Sequence, residues 1–343
     1  MKKNIKKTPR RPPKKSIKWA SKEIALHPAS CQHENTHTNP TPLPTPDWKE
    51  IVRKGGSLQN VQVDDGRNGW ATPSASSFLV RGRNFFQRRG KVAAGDALFK
   101  PLAVDWLKSN ARLDHVLAHP ANRVMQVYRE SACGDALKSY FFAINLQVPG
   151  RDHYSAVFYF VTDEPIVEGS LLYRFIHEDD NFRNSRFKLI NRIVRGPWIV
   201  RAAVGNHAAC LLGRALTCRY IRGPNYFEID VDIGSSAVAN AILHLALGYV
   251  TSVTIDMAFL IEAQAVDELP EKLLGAVQIA QIEMDSATFV EVQQLRDVVP
   301  LLTTPLPSYQ SGISWCKLGR SLSKQSKSGR KEADTETKGS YRE

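Results

Sequence analysis

The sequence is short of cysteine, and what it has is scattered: Cys31, Cys133, Cys210, Cys218 and Cys316, odd in number and never in a C-x-x-C pair. That excludes a disulfide framework or a zinc site as the organising device and points to reduced thiols inside a cell. There is no H-E-x-x-H, no G-x-S-x-G, no P-loop and no G-x-G-x-x-G. Without a nucleophile–base pair or a nucleotide cradle, neither an enzyme nor a bound cofactor or metal is expected. Helix-turn-helix, zinc-finger and RNA-recognition signatures are absent too, so nucleic acid is not an expected partner. The N-terminus has no apolar run of a secretory signal, and Lys2 stands where myristoylation would need a glycine.

Acid is missing from the first 22 residues, which hold ten Lys or Arg. The net charge of +12 sits at the ends: residues 1–22 carry +10, residues 317–343 carry +4, and residues 23–316 carry −2. Residues 1–47 are rich in Pro, Lys and Thr, and 299–343 are polar and low in complexity. Neither holds enough apolar surface to offset ordering entropy, so both are expected as disordered tails. Residues 48–69 read as a linker and 70–298 as the ordered domain. Basic tails draw any anionic membrane surface, so peripheral attachment from the cytoplasm is expected, and the basic N-terminus also suits nuclear import.

Within the domain, strand patterns dominate. "YFFAINLQV" places Tyr140, Phe142, Ile144, Leu146 and Val148 on one face, and "SAVFYFV" follows a turn to complete a hairpin. Ser170 caps a short helix, "LLYRFI". "RFKLINRIV" and "PWIVRAAV" read as strands, and "LLGRALTCRYI" with "YFEIDVDI" as a second hairpin. Strands without βαβ alternation give an α+β class with an antiparallel sheet.

Between Ile233 and Ile255 the sequence has no Asp, Glu, Lys or Arg. A membrane span needs about 20 such residues. Yet at helical spacing Ser236, Asn240, His244, Thr251 and Thr254 fall within about 80° of arc, opposite Val238, Ile242, Leu245, Tyr249 and Val253. That is an amphipathic pattern. It predicts one long helix, Ser235 to about Ala263, packed across the sheet rather than through a bilayer, with Asn240, His244 and Thr251 lining an apolar cavity.

Two charged strands invite chemistry. Glu228, Asp230 and Asp232 share one face of "YFEIDVDI"; they could hold a divalent cation, and pairing with Arg on a neighbouring strand is the favoured reading. Residues 181–222 contain nine Lys or Arg and no acid, whereas 223–316 contain two bases and twelve acids. In that basic segment Arg186, Lys188 and Arg192 share a face, with Arg195 at the end. Arg forks suit phosphate oxygens, so a phospholipid headgroup is one reading; pairing with the acidic strand is the other.

The blocks "LVRGRNFF", "AAGDALFKPLAVDWLKSNARLDHVLAHP", "INLQVPG", "DDNFRNSRFKLI", "GPWIVRAAVG", "GRALTCRYIRGPNYFEIDVDIGSS", "LGYVTSVTIDMAFLIEAQ" and "ELPEKLLGAV" resemble, in order, the C-terminal domain of the plant enhanced disease resistance 2 family. In longer members that domain follows pleckstrin-homology and START lipid-binding domains, which implies work at membranes; residues 1–69 are too short for either. The START analogy suggests a helix-grip-like arrangement. The resemblance supplies no catalytic residues. Together these observations lead to a non-catalytic lipid- or anionic-membrane-binding module, regulatory in a plant cell. The alternative is a protein-interaction module with no small ligand, and nothing in the sequence names its partner.

Overall fold

The computed structural model describes residues 47–64, 66–131, 138–205 and 208–292. The tails expected to be disordered lie outside the described residues, apart from Asp47. In chain order the strands are β1 (Gln59–Asn60), β2 (Gly69–Ala71), β3 (Leu79–Arg81), β4 (Lys91–Ala93), β5 (Lys100–Ser109), β6 (Tyr140–Val148) and β7 (His153–Thr162). They continue with β8 (Phe187–Arg195), β9 (Ala208–Leu211), β10 (Thr217–Arg222), β11 (Tyr226–Asp232), β12 (Thr254–Ile261), β13 (Leu273–Ala280) and β14 (Thr288–Val290). The helices are α1 (Trp48–Lys54), α2 (Phe85–Arg88), α3 (Arg123–Ser131), α4 (Leu171–His177), α5 (Asp180–Asn184), α6 (Trp198–Val204), α7 (Leu212–Ala215) and α8 (Ala237–Leu247).

One sheet runs β1-β2-β13-β12-β8-β9, a second runs β10-β11-β6-β7-β5-β14, and β3 pairs with β4 alone. Most pairings are antiparallel; β1–β2, β6–β11 and β5–β14 are parallel. The class is α+β, but with two large sheets instead of one.

The alternation that makes each strand also makes the core. Phe142, Ile144, Phe158 and Phe160 of the second sheet meet Phe187, Leu189, Met257 and Phe259 of the first in one apolar cluster. The Phe158 and Phe259 rings lie 5.6 Å apart, at an inclination of 48°. Burying a phenylalanine side chain contributes about 1.5–3 kcal/mol. The sheets meet tightly at Gly275, where an added Cβ would lie 2.3 Å from the Phe160 ring. Gly275→Ala is therefore expected to cost about 1–3 kcal/mol by overpacking. Urea unfolding checks this, and an unchanged midpoint would show that Phe160 moves freely.

The outer faces are covered as well. Trp48 and Val52 of α1 join Tyr128 of α3 against Phe141 and Tyr159 of the second sheet. Residues 48–69 are thus not a linker: Asp47 caps α1, and Trp48 and Val52, one turn apart, bury a stripe. On the first sheet's outer face the β3–β4 hairpin lays Phe78 and Val80 on Ile190, Ala258 and Leu260.

The long helix is corrected. Ser236 caps α8 through the Ala239 N–H, 3.3 Å away, but the helix stops at Leu247, before Gly248. Val250, Thr251, Val253, Thr254 and Ile255 are β-branched and favour extended backbone. From Thr254 the chain is strand β12, with Met257, Phe259 and Ile261 facing inward at period two. No described helix is long and apolar enough to cross a membrane. "PWIVRAAV" is corrected as well: it is α6, begun after Pro197 and ended by Gly205 at φ +82°, with Val200 alone buried.

Candidate anionic-surface site

The four cations expected to bind headgroups are placed unequally. Lys188 lies on the outer face of β8, only 6% exposed. Its Nζ donates to Glu271 at 2.7 Å and to Glu262 at 3.2 Å. Arg186 donates to Glu268 at 2.7 Å and packs over the Phe182 ring at 4.4 Å. Arg174 reaches the same Glu268 carboxylate at 3.0 Å. Burial works to raise the Glu268 carboxyl, but the Gln264 N–H and Arg186 bonded to it hold it below its ordinary range. Arg192 pairs with buried Asp256, its Nε 3.0 Å from Oδ2. Arg195 alone of the four is exposed and has no ion pair among the described residues. The acids that neutralise β8 come from its neighbour β12 and the segment after it. They do not come from β11, which lies in the other sheet.

The carboxylate row on β11 has a different use from either expectation. Glu228 is fully buried and accepts the N–H groups of Val116 at 2.6 Å and Leu117 at 3.0 Å. Asp230 accepts the His115 N–H at 3.0 Å and the Asn145 amide at 2.8 Å. They satisfy a tight turn that would otherwise bury bare amides. Burial, then the neighbouring Asp230 charge, pushes Glu228 up to about 9, and burial raises Asp230. The His115 ring nitrogen lies 2.7 Å from the Tyr226 hydroxyl, and burial lowers its pKa. Asp232, half-buried, takes Arg112 at 3.4 Å. These residues are held by protein donors, and no group of three metal-ligating side chains occurs among the described residues.

The three residues expected to line a cavity do not converge. His244 and Thr251 are exposed, and Thr251 follows α8 instead of belonging to it. Asn240 is half-buried, and its Oδ1 has no hydrogen-bond partner among the described residues. A groove of about 200 Å3 is lined by Arg112, Gln147, Pro149, Tyr154 and Asp232, and touches none of them.

Free positive charge gathers elsewhere, on the β3–β4 hairpin. Residues 81–91, "RGRNFFQRRGK", contain five bases and no acid. Arg81 is spent on the fold: it reaches Glu262 at 2.9 Å and the Ala263 carbonyl at 2.6 Å, and its N–H donates to Glu271 at 2.9 Å. Arg83, Arg88, Arg89 and Lys91 are exposed and have no acidic partner among the described residues. Beside them Leu79, Phe86 and Val92 expose large apolar side chains, by 51%, 38% and 47%. A second groove, of about 460 Å3, lies between Arg83, Arg88, Val92 and Pro270. The signal was present in the sequence as an acid-free basic run. It was hidden by the longer basic segment at 181–222, whose Arg186, Lys188 and Arg192 the fold pairs with acids.

A family model described as the C-terminal region of Protein ENHANCED DISEASE RESISTANCE 2 matches residues 70–283. The chain belongs to that family. It is 47% identical over 232 residues to a protein of Arabidopsis thaliana named ENHANCED DISEASE RESISTANCE 2-like. Those residues are 68% of this chain and 31% of that protein, so the chain spans under a third of the relative's length. No solved structure matches. Neither the family description nor the relative's name is that of an enzyme. The ENHANCED DISEASE RESISTANCE 2 match takes in the hairpin, β8, β11 and both grooves, and leaves α1 and β14 outside it.

Proposed function

We propose that the chain is a non-catalytic, regulatory module of a plant cell that attaches peripherally to an anionic membrane surface through the β3–β4 hairpin. The observation that carries this reading is the composition of the hairpin's exposed surface: four cations without acids, mixed with Leu79, Phe86 and Val92. Cations near an anionic leaflet contribute about 1 kcal/mol each, and exposed apolar groups add burial at the interface. The headgroup role passes from Arg186, Lys188 and Arg192, already paired, to Arg83, Arg88, Arg89 and Lys91; Arg195 remains available. The basic tail adds attraction of the same sign.

The test uses phosphatidylcholine vesicles containing phosphatidylserine, at low and high salt. Arg88→Gln with Lys91→Gln in the full chain is expected to weaken binding about tenfold or more, following roughly 1 kcal/mol per charge. Removing residues 1–46, which spares the Asp47 cap, weakens it further at low salt. Exposed charges are screened beyond about 10 Å at 0.1 M salt, so both effects shrink as salt rises. Binding unaffected by the hairpin substitutions would defeat the reading.

A different surface favours the alternative, a protein-interaction module. Trp198 is 79% exposed and Val238 71%, α8 carries no Asp, Glu, Lys or Arg, and none of its residues is buried. Apolar exposure of this kind marks a contact surface. Here α6 and α8 pack around Val253, whereas the hairpin packs on Leu260 and Arg81 reaches Ala263. The two surfaces therefore lie at opposite ends of β12, some 25 Å apart at about 3.3 Å per residue. Trp198→Ser should leave vesicle binding intact; lost binding would instead make the α8 end the membrane-facing one.

A further inference from the structure

Resting on the membrane reading above, we infer that the hairpin groove is a binding site for a phosphomonoester carried by a phospholipid, and not merely a patch of positive charge. Two guanidinium side chains, Arg83 and Arg88, and the Asn84 amide line it. None of the three side chains has a hydrogen bond or an ion pair among the described residues. The backbone N–H groups of Arg83 and Asn84 have no acceptor there either. The groove thus presents several donors without acceptors among the described residues, and none of its lining residues is an acid. Guanidinium forks bind phosphate oxygens in pairs, and a phosphomonoester offers three such oxygens with up to two negative charges.

Shape points the same way. Gly82 and Gly90 form part of the lining; a Cβ at Gly90 would meet nothing within 4 Å, so the backbone is open to a close approach there, whereas one at Gly82 would lie 2.9 Å from Val92. At about 460 Å3 the groove falls within the range of small-ligand sites, more than a bare phosphate fills. Val92 lines one wall while Phe86 and Leu79 are exposed on the same hairpin, as a lipid-borne phosphate would require. Arg81 ties the base of the hairpin to Glu262 and Glu271, so the backbone that carries the groove is anchored before any ligand arrives. Preorganisation of this kind reduces the cost of binding.

The experiment separates this site from general electrostatics. Full-length protein is titrated with phosphatidylcholine vesicles containing phosphatidic acid, a phosphomonoester, or phosphatidylserine, a phosphodiester, adjusted to equal surface potential. Preference for phosphatidic acid of about fivefold or more is expected, the worth of one added charge-assisted contact. Arg83→Lys with Arg88→Lys keeps the charge and removes the forks; it should abolish the preference while sparing phosphatidylserine binding. Inorganic phosphate and glycerol 3-phosphate serve as competitors. If either displaces the protein at micromolar concentration, the site serves a free phosphate and the lipid assignment is overturned. Equal binding to both vesicles overturns the groove site and leaves the membrane reading standing. Binding to neither vesicle overturns the membrane reading itself.

Discussion

Glu271→Ala is expected to lower the unfolding free energy by about 3 kcal/mol, the low end of the cost of breaking a buried ion pair, because Lys188 keeps Glu262. Glu271 is 3% exposed and holds three things at once: the Lys188 ammonium at 2.7 Å, the Arg81 N–H at 2.9 Å and the Ala263 N–H at 3.2 Å. Removing it leaves Lys188 with Glu262 alone and loosens the root of the hairpin. Lys188→Met should cost less, because Glu271 keeps its backbone donors and Arg81 stands 3.7 Å away. Urea unfolding of both variants checks the asymmetry. A loss below about 1 kcal/mol for Glu271→Ala would mean that water or a rearranged Arg81 replaces the carboxylate, and that the network is not the hairpin's anchor.

The same network marks where the sequence was legible and where it was not. Period-two alternation found β6, β7, β8 and β11, and the Phe142–Ile144 face of β6, because a strand's pattern is local. Ser170 was readable as a cap for the same reason, and it accepts the Tyr173 N–H. The segment after Gly248 misled because Ser236, Asn240, His244, Thr251 and Thr254 fit a helical period while the β-branched run argued for a strand. Propensity and tertiary pairing with β8 and β13 settled it as β12. Charge was harder still. The imbalance between 181–222 and 223–316 did signal ion pairing, but not which strands pair. That depends on sheet order: β8 neighbours β12, and β11 lies between β10 and β6. The basic run at 81–91 became informative only once the acids near Arg186, Lys188 and Arg192 were seen to be occupied.

Stability should fall as pH rises from 7 to 8, and Glu228→Gln should remove most of that fall. Burial and the adjacent Asp230 carboxyl raise Glu228 from an ordinary 4.5 to about 9. Below about pH 4.5 the side chain is protonated in both the folded and unfolded states, and its contribution is fully present. Above that, the unfolded chain releases the proton while the folded chain keeps it, until the pH passes about 9. Across this window the folded state binds one more proton, so stability declines by about 1 kcal/mol per pH unit. The interval from 7 to 8 isolates the effect. His115, lowered by burial from 6.5, works in the opposite direction, adding stability as pH rises, but most of that gain is made below pH 7 and little of it falls between 7 and 8. Depressed carboxyls such as Glu268 titrate below 4.5 and contribute equally at both pH values. Glutamine keeps a carbonyl for the Val116 and Leu117 N–H groups, offers its amide to Asp230, and has no proton to lose. The variant should therefore match or exceed the parent at pH 8, with a flatter dependence in urea unfolding followed between pH 7 and 8. An identical slope in the two proteins would place the titrating group elsewhere, and would make Glu228 an ordinary ionised acceptor for the 115–117 turn.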